Sequence, residues 1–275
     1  MKLKKRIVCL ALIYQLTLTI GAHANPWADN VVSYVAGSNI PNDFVTGNPF
    51  ADASTALGSP TRVTSDPVNF GGPVQPFSGA FRSNEIVSIG RGGQLTVSFD
   101  SPVLNHAANP FGIDLLIFGN TSYFLDPFAT DGIAGAPNVE GGKIEVSADG
   151  LTYFEIIGAS ADSVFPTMGY RDVLDPLSVD AGTIPTDFTK PVDPSLVTTG
   201  LTLPQLVAAY DGSGGGVGID ISSTGLSQIS FVRISNASDA TFVPEIDGFA
   251  DVRAVPEPTT LVLMSLMFVG LWRRK

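Results

Sequence analysis

Residues 94–99 read Gln-Leu-Thr-Val-Ser-Phe, a run in which polar and apolar side chains alternate. Successive side chains of an extended chain point to opposite faces, so Leu95, Val97 and Phe99 share one face. This alternation is typical of an antiparallel strand with one buried and one solvated face. The run therefore predicts a half-buried antiparallel β-strand.

Similar short runs recur on both sides of this strand. Residues 143–147 and 153–157 flank Asp149-Gly150, and an Asp-Gly pair supplies the positive φ of a tight turn, which predicts a β-hairpin. Strands are also predicted at 30–36, 85–89, 113–118, 229–234 and 245–252, a short helix at 203–210, and a long Pro- and Asp-rich excursion at 162–202. Because strands and helices do not alternate, we expect an all-β fold: an antiparallel β-sandwich or jelly roll with long loops.

Composition supports this fold class and argues against several classes of function. Gly (29) and Pro (20) are frequent and only 15% of residues are charged, as in proteins built from many strands and loops. Residues 25–255 carry 8 basic and 25 acidic side chains, a net charge of −17, which argues against nucleic-acid binding. The single cysteine, Cys9, lies near the N-terminus; a chain without the leader has no disulfide or Cys-ligated zinc.

Residues 1–24 have the three parts of a secretory signal peptide. Four basic residues precede an apolar run at 7–20, and Ala22-His23-Ala24 follows. The small residues Ala22 and Ala24 fit cleavage by signal peptidase after position 24. An uncleaved N-terminal membrane anchor is the alternative, but the immediate switch to Asn25-Pro26 favours cleavage.

The final segment, 255–275, combines three elements in order. Pro256-Glu257-Pro258 comes first, an uncharged apolar stretch at 259–272 follows, and Arg273-Arg274-Lys275 ends the chain. A helix over 259–272 would be about 21 Å long, short of the roughly 30 Å hydrocarbon core, and snorkelling of the terminal arginines makes up part of the difference. The positive-inside rule keeps the basic end cytoplasmic, so a C-terminal transmembrane helix is predicted with the body outside.

This tail resembles the PEP-CTERM sorting domain, in which a Pro-Glu-Pro triplet precedes an apolar helix and a short basic terminus. The resemblance implies export by the general secretory route and recognition by an exosortase, a membrane-embedded cysteine transpeptidase or protease. Processing would fall near Pro256, Glu257 and Pro258, with Arg273 and Arg274 as the basic end. The protein would cross the inner membrane, remain there transiently, and reach the cell surface or the extracellular space.

The body, 25–254, contains a second set of motifs. The segments, in order, are 52–58, 89–99, 114–120, 145–150, 231–234 and 245–249. Together they resemble bacterial cell-surface proteins with a galactose-binding-like β-sandwich. Gly119 departs from that pattern, since the family often has an acidic residue before the Asn.

Galactose-binding-like sandwiches often pin their loops with calcium, so the resemblance implies a Ca²⁺ site. The candidate ligands are Asp52, Asp114, Asn120 and Asp247, which fall in the matching segments. Carboxylate and amide oxygens are ligands that Ca²⁺ prefers. The alternative is structural: Asp52 caps a turn, and Asp247 accepts hydrogen bonds from backbone amides.

Residues that carry catalysis are scarce. His106 is the one histidine after the leader, and no G-x-S-x-G nucleophile elbow accompanies it. The spacing of the acidic residues singles out no glycosidase pair. The sequence therefore predicts a non-catalytic surface or matrix protein that contacts exopolysaccharide in a biofilm; a secreted carbohydrate-active hydrolase is the alternative. The aromatic residues considered for sugar stacking are Tyr123, Phe124, Phe128, Phe165 and Tyr170.

Overall fold

The structure, a computed structural model, describes residues 25–64, 71–125 and 132–252. The predicted signal helix, within 1–24, and the predicted transmembrane helix, within 255–275, lie outside these ranges. No helix in the described ranges is both long and apolar enough to cross a membrane.

The described residues are mostly β-structure. In chain order the strands are β1 (Asn30–Val35), β2 (Val63–Thr64), β3 (Gly72–Pro73), β4 (Val87–Ser88), β5 (Gln94–Leu104), β6 (Leu115–Gly119), β7 (Tyr123–Leu125), β8 (Ala134–Pro137), β9 (Lys143–Ser147), β10 (Phe154–Glu155), β11 (Val217–Ile219), β12 (Gln228–Ser235) and β13 (Glu245–Asp251). The α-helix of these ranges is α1 (Leu203–Ala209), and short 3₁₀ helices span Ala53–Ala56, Pro110–Gly112 and Ile221–Thr224.

Two antiparallel sheets make up most of the structure. The larger has the strand order β1-β5-β12-β9-β10, and the smaller has the order β11-β6-β13-β4. Strand β5 contains the alternating run at 94–99 and pairs with β1 on one side and β12 on the other. The prediction that its apolar residues share a buried face is confirmed, since Leu95 and Val97 are fully buried and Phe99 is 4% exposed.

Both sheets contribute side chains to one hydrophobic core. Leu95 and Val232 enter it from the larger sheet, and Leu115, Ile117 and Phe249 enter it from the smaller one. The alternate residues of β6, Leu116 and Phe118, belong to a second cluster on the other face of the smaller sheet. The smaller sheet is therefore buried on both faces.

The predicted excursion at 162–202 covers this second face. It contains only isolated bridges and turns, with no regular strand or helix between 162 and 202. Phe188 from this segment is 1% exposed and packs with Phe118 and Ala250 of the smaller sheet. The excursion thus acts as an irregular layer over the outer face of the smaller sheet.

The predicted hairpin at Asp149-Gly150 is confirmed, because β9 pairs antiparallel with β10. The Asp149 carboxylate shapes the turn by accepting hydrogen bonds from Leu151 N at 2.8 Å and Thr152 N at 2.9 Å. Gly150 has φ +73°, and a Cβ added there would lie 3.0 Å from the Phe231 ring. A glycine is required both by the backbone conformation and by this close approach.

We expect Gly150→Ala to destabilise the fold by about 2 kcal/mol, because strain at positive φ adds to overpacking against Phe231. Gly158→Ala is the matched control: Gly158 has φ +87°, but a Cβ added there would meet nothing within 4 Å, so it should lose only about 1 kcal/mol. Urea unfolding monitored by circular dichroism measures both. Equal losses would show that contact with Phe231 contributes nothing.

Candidate functional site

An open cleft of about 880 Å³ lies beside Phe188. The Phe188 ring meets Phe118 of β6 edge-on at 5.2 Å between centroids, and half-buried Trp27 approaches Phe188 edge-on at 6.5 Å. Trp27 is held there by an isolated bridge to Ala250 of β13. We call this feature the Trp27 cleft; the side chains used below are Trp27, Arg62, Arg171, Asp187, Phe188, Lys190 and Asp211.

Arg62 is built into the floor of the Trp27 cleft. Its guanidinium lies 4.0 Å from the centroid of the Phe188 ring, in a cation–π arrangement. Nη1 donates to Gly169 O at 2.6 Å, and Nη2 donates to Thr186 O at 2.9 Å. Partial burial lowers the pKa of Arg62, but an arginine side chain stays charged in proteins.

The rim of the cleft carries further charges. Lys190 Nζ lies 2.7 Å from Asp211 Oδ2, and this lysine lowers the pKa of the exposed Asp211 carboxyl. Asp187 Oδ1 accepts from Thr189 N at 2.8 Å. Arg171 is exposed, and its side chain makes no hydrogen bond or ion pair within the ranges that the structure describes. A ligand in the cleft would meet the Trp27 ring, hydrogen-bond acceptors and an uncommitted guanidinium, with the buried Phe188 ring beneath Arg62.

A second cluster of polar groups is made of Glu140, Asp162 and Glu245, here called the carboxyl cluster. Asp162 is fully buried; its Oδ1 accepts from the backbone and hydroxyl of Thr121, and its Oδ2 accepts from Glu245 N at 3.1 Å. Burial raises the pKa of Asp162 to about 7, despite the hydrogen bonds from Thr121. This carboxyl therefore titrates near neutral pH.

Glu245 stands next to Asp162 at the start of β13. Its carboxyl accepts from Ser88 Oγ at 3.0 Å and from Asn120 Nδ2 at 2.6 Å. Burial raises its pKa, and the nearby charges of Glu140 and Asp162 raise it further. The pKa of Glu140 is also raised, mainly by burial, and its carboxyl accepts a hydrogen bond from Asn138 Nδ2 at 3.1 Å. Glu140 and Glu245 both face a smaller cleft of about 440 Å³.

The structure does not bring the four predicted calcium ligands to one point. Asp114 immediately precedes β6 and Asn120 immediately follows it, so the strand holds them roughly 20 Å apart at about 3.3 Å per residue. The Asp114 carboxylate accepts from Asn109 Nδ2 at 2.8 Å and from the backbone amides of His106 and Ile221. Asn120 directs its amide nitrogen to Glu245.

The other two predicted ligands have structural partners. Asp52 caps the 3₁₀ helix Ala53–Ala56, accepting from Ser54 N at 3.0 Å. Asp247 accepts from Thr61 N at 2.9 Å and Thr61 Oγ1 at 2.8 Å, and burial raises its pKa to about 7. Among the described residues, no three His, Cys, Asp or Glu side chains are grouped so as to hold a metal ion. The structure therefore does not bring the four predicted ligands together, and a Ca²⁺ site stays a prediction.

Of the aromatic residues considered for sugar stacking, Tyr123 and Phe165 belong to one hydrophobic cluster, and Phe124 and Tyr170 are not part of it. Tyr123 is 2% exposed, and Phe165 packs edge-on against Tyr210 at 6.2 Å. Phe124 is 62% exposed, while Phe128 lies outside the described residues. Sequence reasoning overlooked Trp27 as a site residue because its place in the cleft depends on pairing with the distant strand β13.

His106 is exposed, and its Nδ1 accepts a hydrogen bond from Ala108 N at 3.1 Å. That contact stays within its own loop. The histidine is not linked to a serine or a carboxylate by any described hydrogen bond of its ring.

Strand β13 ends at Asp251, and the chain then leads into the segment with Pro256-Glu257-Pro258 and the basic terminus. Residues 254–275 match the PEP-CTERM protein-sorting motif. The match begins one residue before the predicted boundary and confirms the predicted PEP-CTERM motif. A PEP-CTERM motif indicates an exported protein that is sorted by an exosortase to the cell envelope or surface. No curated protein matches the chain significantly.

The carboxyl cluster predicts a specific dependence of stability on pH. Because the folded state raises these pKa values, their stabilising contribution is complete below about pH 4 and is lost as pH rises through about 7. Glu245→Gln keeps the shape, can still accept from Asn120, and removes one charge. We expect it to unfold at higher urea than wild type at pH 8, by on the order of 1–3 kcal/mol, and to differ little at pH 4.

Urea midpoints at pH 4, 6 and 8 measure this difference. Glu155→Gln, on the edge strand β10 where the side chain is 48% exposed, is the control and should follow the wild-type profile. Parallel pH profiles for Glu245→Gln and wild type would contradict the raised pKa of Glu245.

Proposed function

We propose that the body is a non-catalytic module, displayed at the cell surface or in the extracellular matrix, that binds exopolysaccharide in the Trp27 cleft. The observation that carries this proposal is the cleft itself, where an indole and charged hydrogen-bonding groups converge. Sugar-binding sites need an apolar ring to stack on and nearby polar groups to fix the hydroxyls. The Trp27 cleft has both, and the sorting tail sends the protein to where such polymers are found.

The β-sandwich architecture is part of this proposal. Its support is that the two larger antiparallel sheets fill one core between them, as in sandwiches. A relationship with galactose-binding-like surface proteins, inferred from the motifs, stays a proposal. In that fold, binding residues lie on loops held by a rigid β scaffold, which agrees with the loop origin of Arg171, Phe188 and Lys190.

The absence of catalysis is also proposed. A glycosidase acid needs a raised pKa, whereas Lys190 lowers that of Asp211 in the Trp27 cleft. The carboxyls with raised pKa values, Glu140 and Glu245, face the smaller cleft and do not line the Trp27 cleft. The hydrolase alternative would therefore place its acid in the smaller cleft and not in the Trp27 cleft.

Trp27→Ala should weaken binding to exopolysaccharide purified from the producing cells by on the order of tenfold, because stacking area is lost. Isothermal titration of the exported protein measures this. Phe124→Ala is the control, since this exposed aromatic does not line the cleft, and it should bind like wild type.

The same samples test the alternative. Unchanged affinity of Trp27→Ala, with its melting temperature preserved, would reject the cleft as the binding site. Release of reducing sugar by wild type but not by Glu245→Gln would replace the binding function with hydrolysis.

Calcium binding is proposed only as a stabilising role, since the predicted carboxylates already accept hydrogen bonds in the structure. A Ca²⁺-dependent rise in melting temperature, abolished by EGTA, would support it. A melting temperature that is the same with Ca²⁺ and with EGTA would contradict calcium binding.

Export should leave two cut sites. Mass spectrometry of the protein recovered from the cell surface is expected to find Asn25 as the first residue and a C-terminus near Pro256-Glu257-Pro258. Recovery of the full 275-residue chain from the surface would contradict processing at both ends.

A further inference from the structure

We infer that the Trp27 cleft binds polysaccharides that carry carboxylate groups, such as uronic-acid polymers, and that Arg171 contacts the carboxylate. This inference rests on the proposed function and specifies the ligand class of the same cleft. It is carried by the distribution of positive charge over the body and by the bonding state of each cation.

Positive charge is scarce in the body but concentrated here. Residues 25–255 have a net charge of −17, and the described ranges contain seven basic side chains. Three of these seven, Arg62, Arg171 and Lys190, line the Trp27 cleft. Asp187 and Asp211 line the same cleft, so its charged side chains sum to +1 (three basic minus two acidic) in a body of net charge −17. The cleft therefore repels an anionic group less than the rest of the surface does.

The three cations are available to different degrees. Lys190 is paired with Asp211 at 2.7 Å, so much of its charge is compensated. Arg62 donates to the neutral oxygens of Gly169 and Thr186, which hold its guanidinium over Phe188 without an acidic acceptor in the described ranges. Although burial lowers the pKa of this guanidinium, Asp187 interacts electrostatically with Arg62 and raises it, so its positive charge is partly compensated.

Arg171 is the cation that a ligand can reach. It is exposed, and its backbone amide donates to Ile184 O at 3.0 Å, which fixes the start of the side chain. The guanidinium itself has no side-chain partner within the described part of the chain. A planar guanidinium can give two parallel hydrogen bonds to a carboxylate, a geometry that a hydroxyl cannot match.

The remaining groups fit the rest of an acidic sugar. Asp187 and Asp211 can accept hydrogen bonds from hydroxyl groups, and Trp27 offers an apolar surface to the ring carbons. A small inorganic anion would use only the cations. A carboxylated sugar would use all of these groups together.

The test compares three probes with the exported protein: polygalacturonate, neutral galactan and dextran sulfate. We expect polygalacturonate to bind more tightly than galactan, and its affinity to fall as sodium chloride rises from about 50 to about 300 mM. Arg171→Gln should weaken polygalacturonate binding roughly tenfold and leave galactan binding unchanged. Trp27→Ala should weaken binding of both.

Lys143→Gln is the matched control, because it removes one positive charge from β9, where Lys143 pairs with Glu145 at 3.2 Å. It should leave polygalacturonate affinity unchanged. Equal losses in Lys143→Gln and Arg171→Gln would reduce the effect to net charge and overturn the inference. Dextran sulfate binding as tightly as polygalacturonate, with the same loss in Arg171→Gln, would overturn the preference for carboxylate.

Two further outcomes distinguish failure of this inference from failure of the proposed function. Binding of native exopolysaccharide or galactan without a preference for polygalacturonate would end the inference and leave the proposed function standing. No binding of native exopolysaccharide or of any probe would reject both.

Discussion

Strand β6 is apolar on both faces, and the structure around it follows from the need to cover both. Leu115 and Ile117 face the core that is shared with the larger sheet, whereas Leu116 and Phe118 face the opposite way. Leaving that second face in water would cost about 25 cal/mol for each Å² of apolar surface. The excursion at 162–202 supplies the cover through Phe188. Because this cover is irregular and not a third sheet, it leaves the Trp27 cleft at its edge.

Buried carboxylates hold the long loops against this β scaffold. Asp247 on β13 binds Thr61, which is 186 positions away in sequence, and Asp162 binds the backbone of Glu245 across 83 positions. A buried carboxylate is costly unless it accepts several hydrogen bonds. These bonds tie distant segments together in a body that has no cysteine to crosslink. The crowding of Glu140, Asp162 and Glu245 makes part of this framework sensitive to pH.

Charge is distributed unevenly over the body of this exported protein. Most of the body repels anions, and one cleft near the bridge between Trp27 and β13 collects three cations. The PEP-CTERM motif brings the body to the envelope or surface. We propose that this cleft is the place where the acidic body takes an anionic polymer.

Local patterns were enough to predict most strands of the two larger sheets, the hairpin and the sorting motif, but not the short strands β2, β3, β7 and β8. Alternation around Leu95, the Asp149-Gly150 turn and the Pro256-Glu257-Pro258 segment each depend on neighbours a few residues away, so the sequence by itself specified them. Only the tertiary structure decided the sites. It separated Asp114 from Asn120 across β6, and it brought Arg62 to Thr186 over 124 positions. Such long-range contacts depend on which loop covers which sheet face, and no short-range period in the sequence encodes that arrangement.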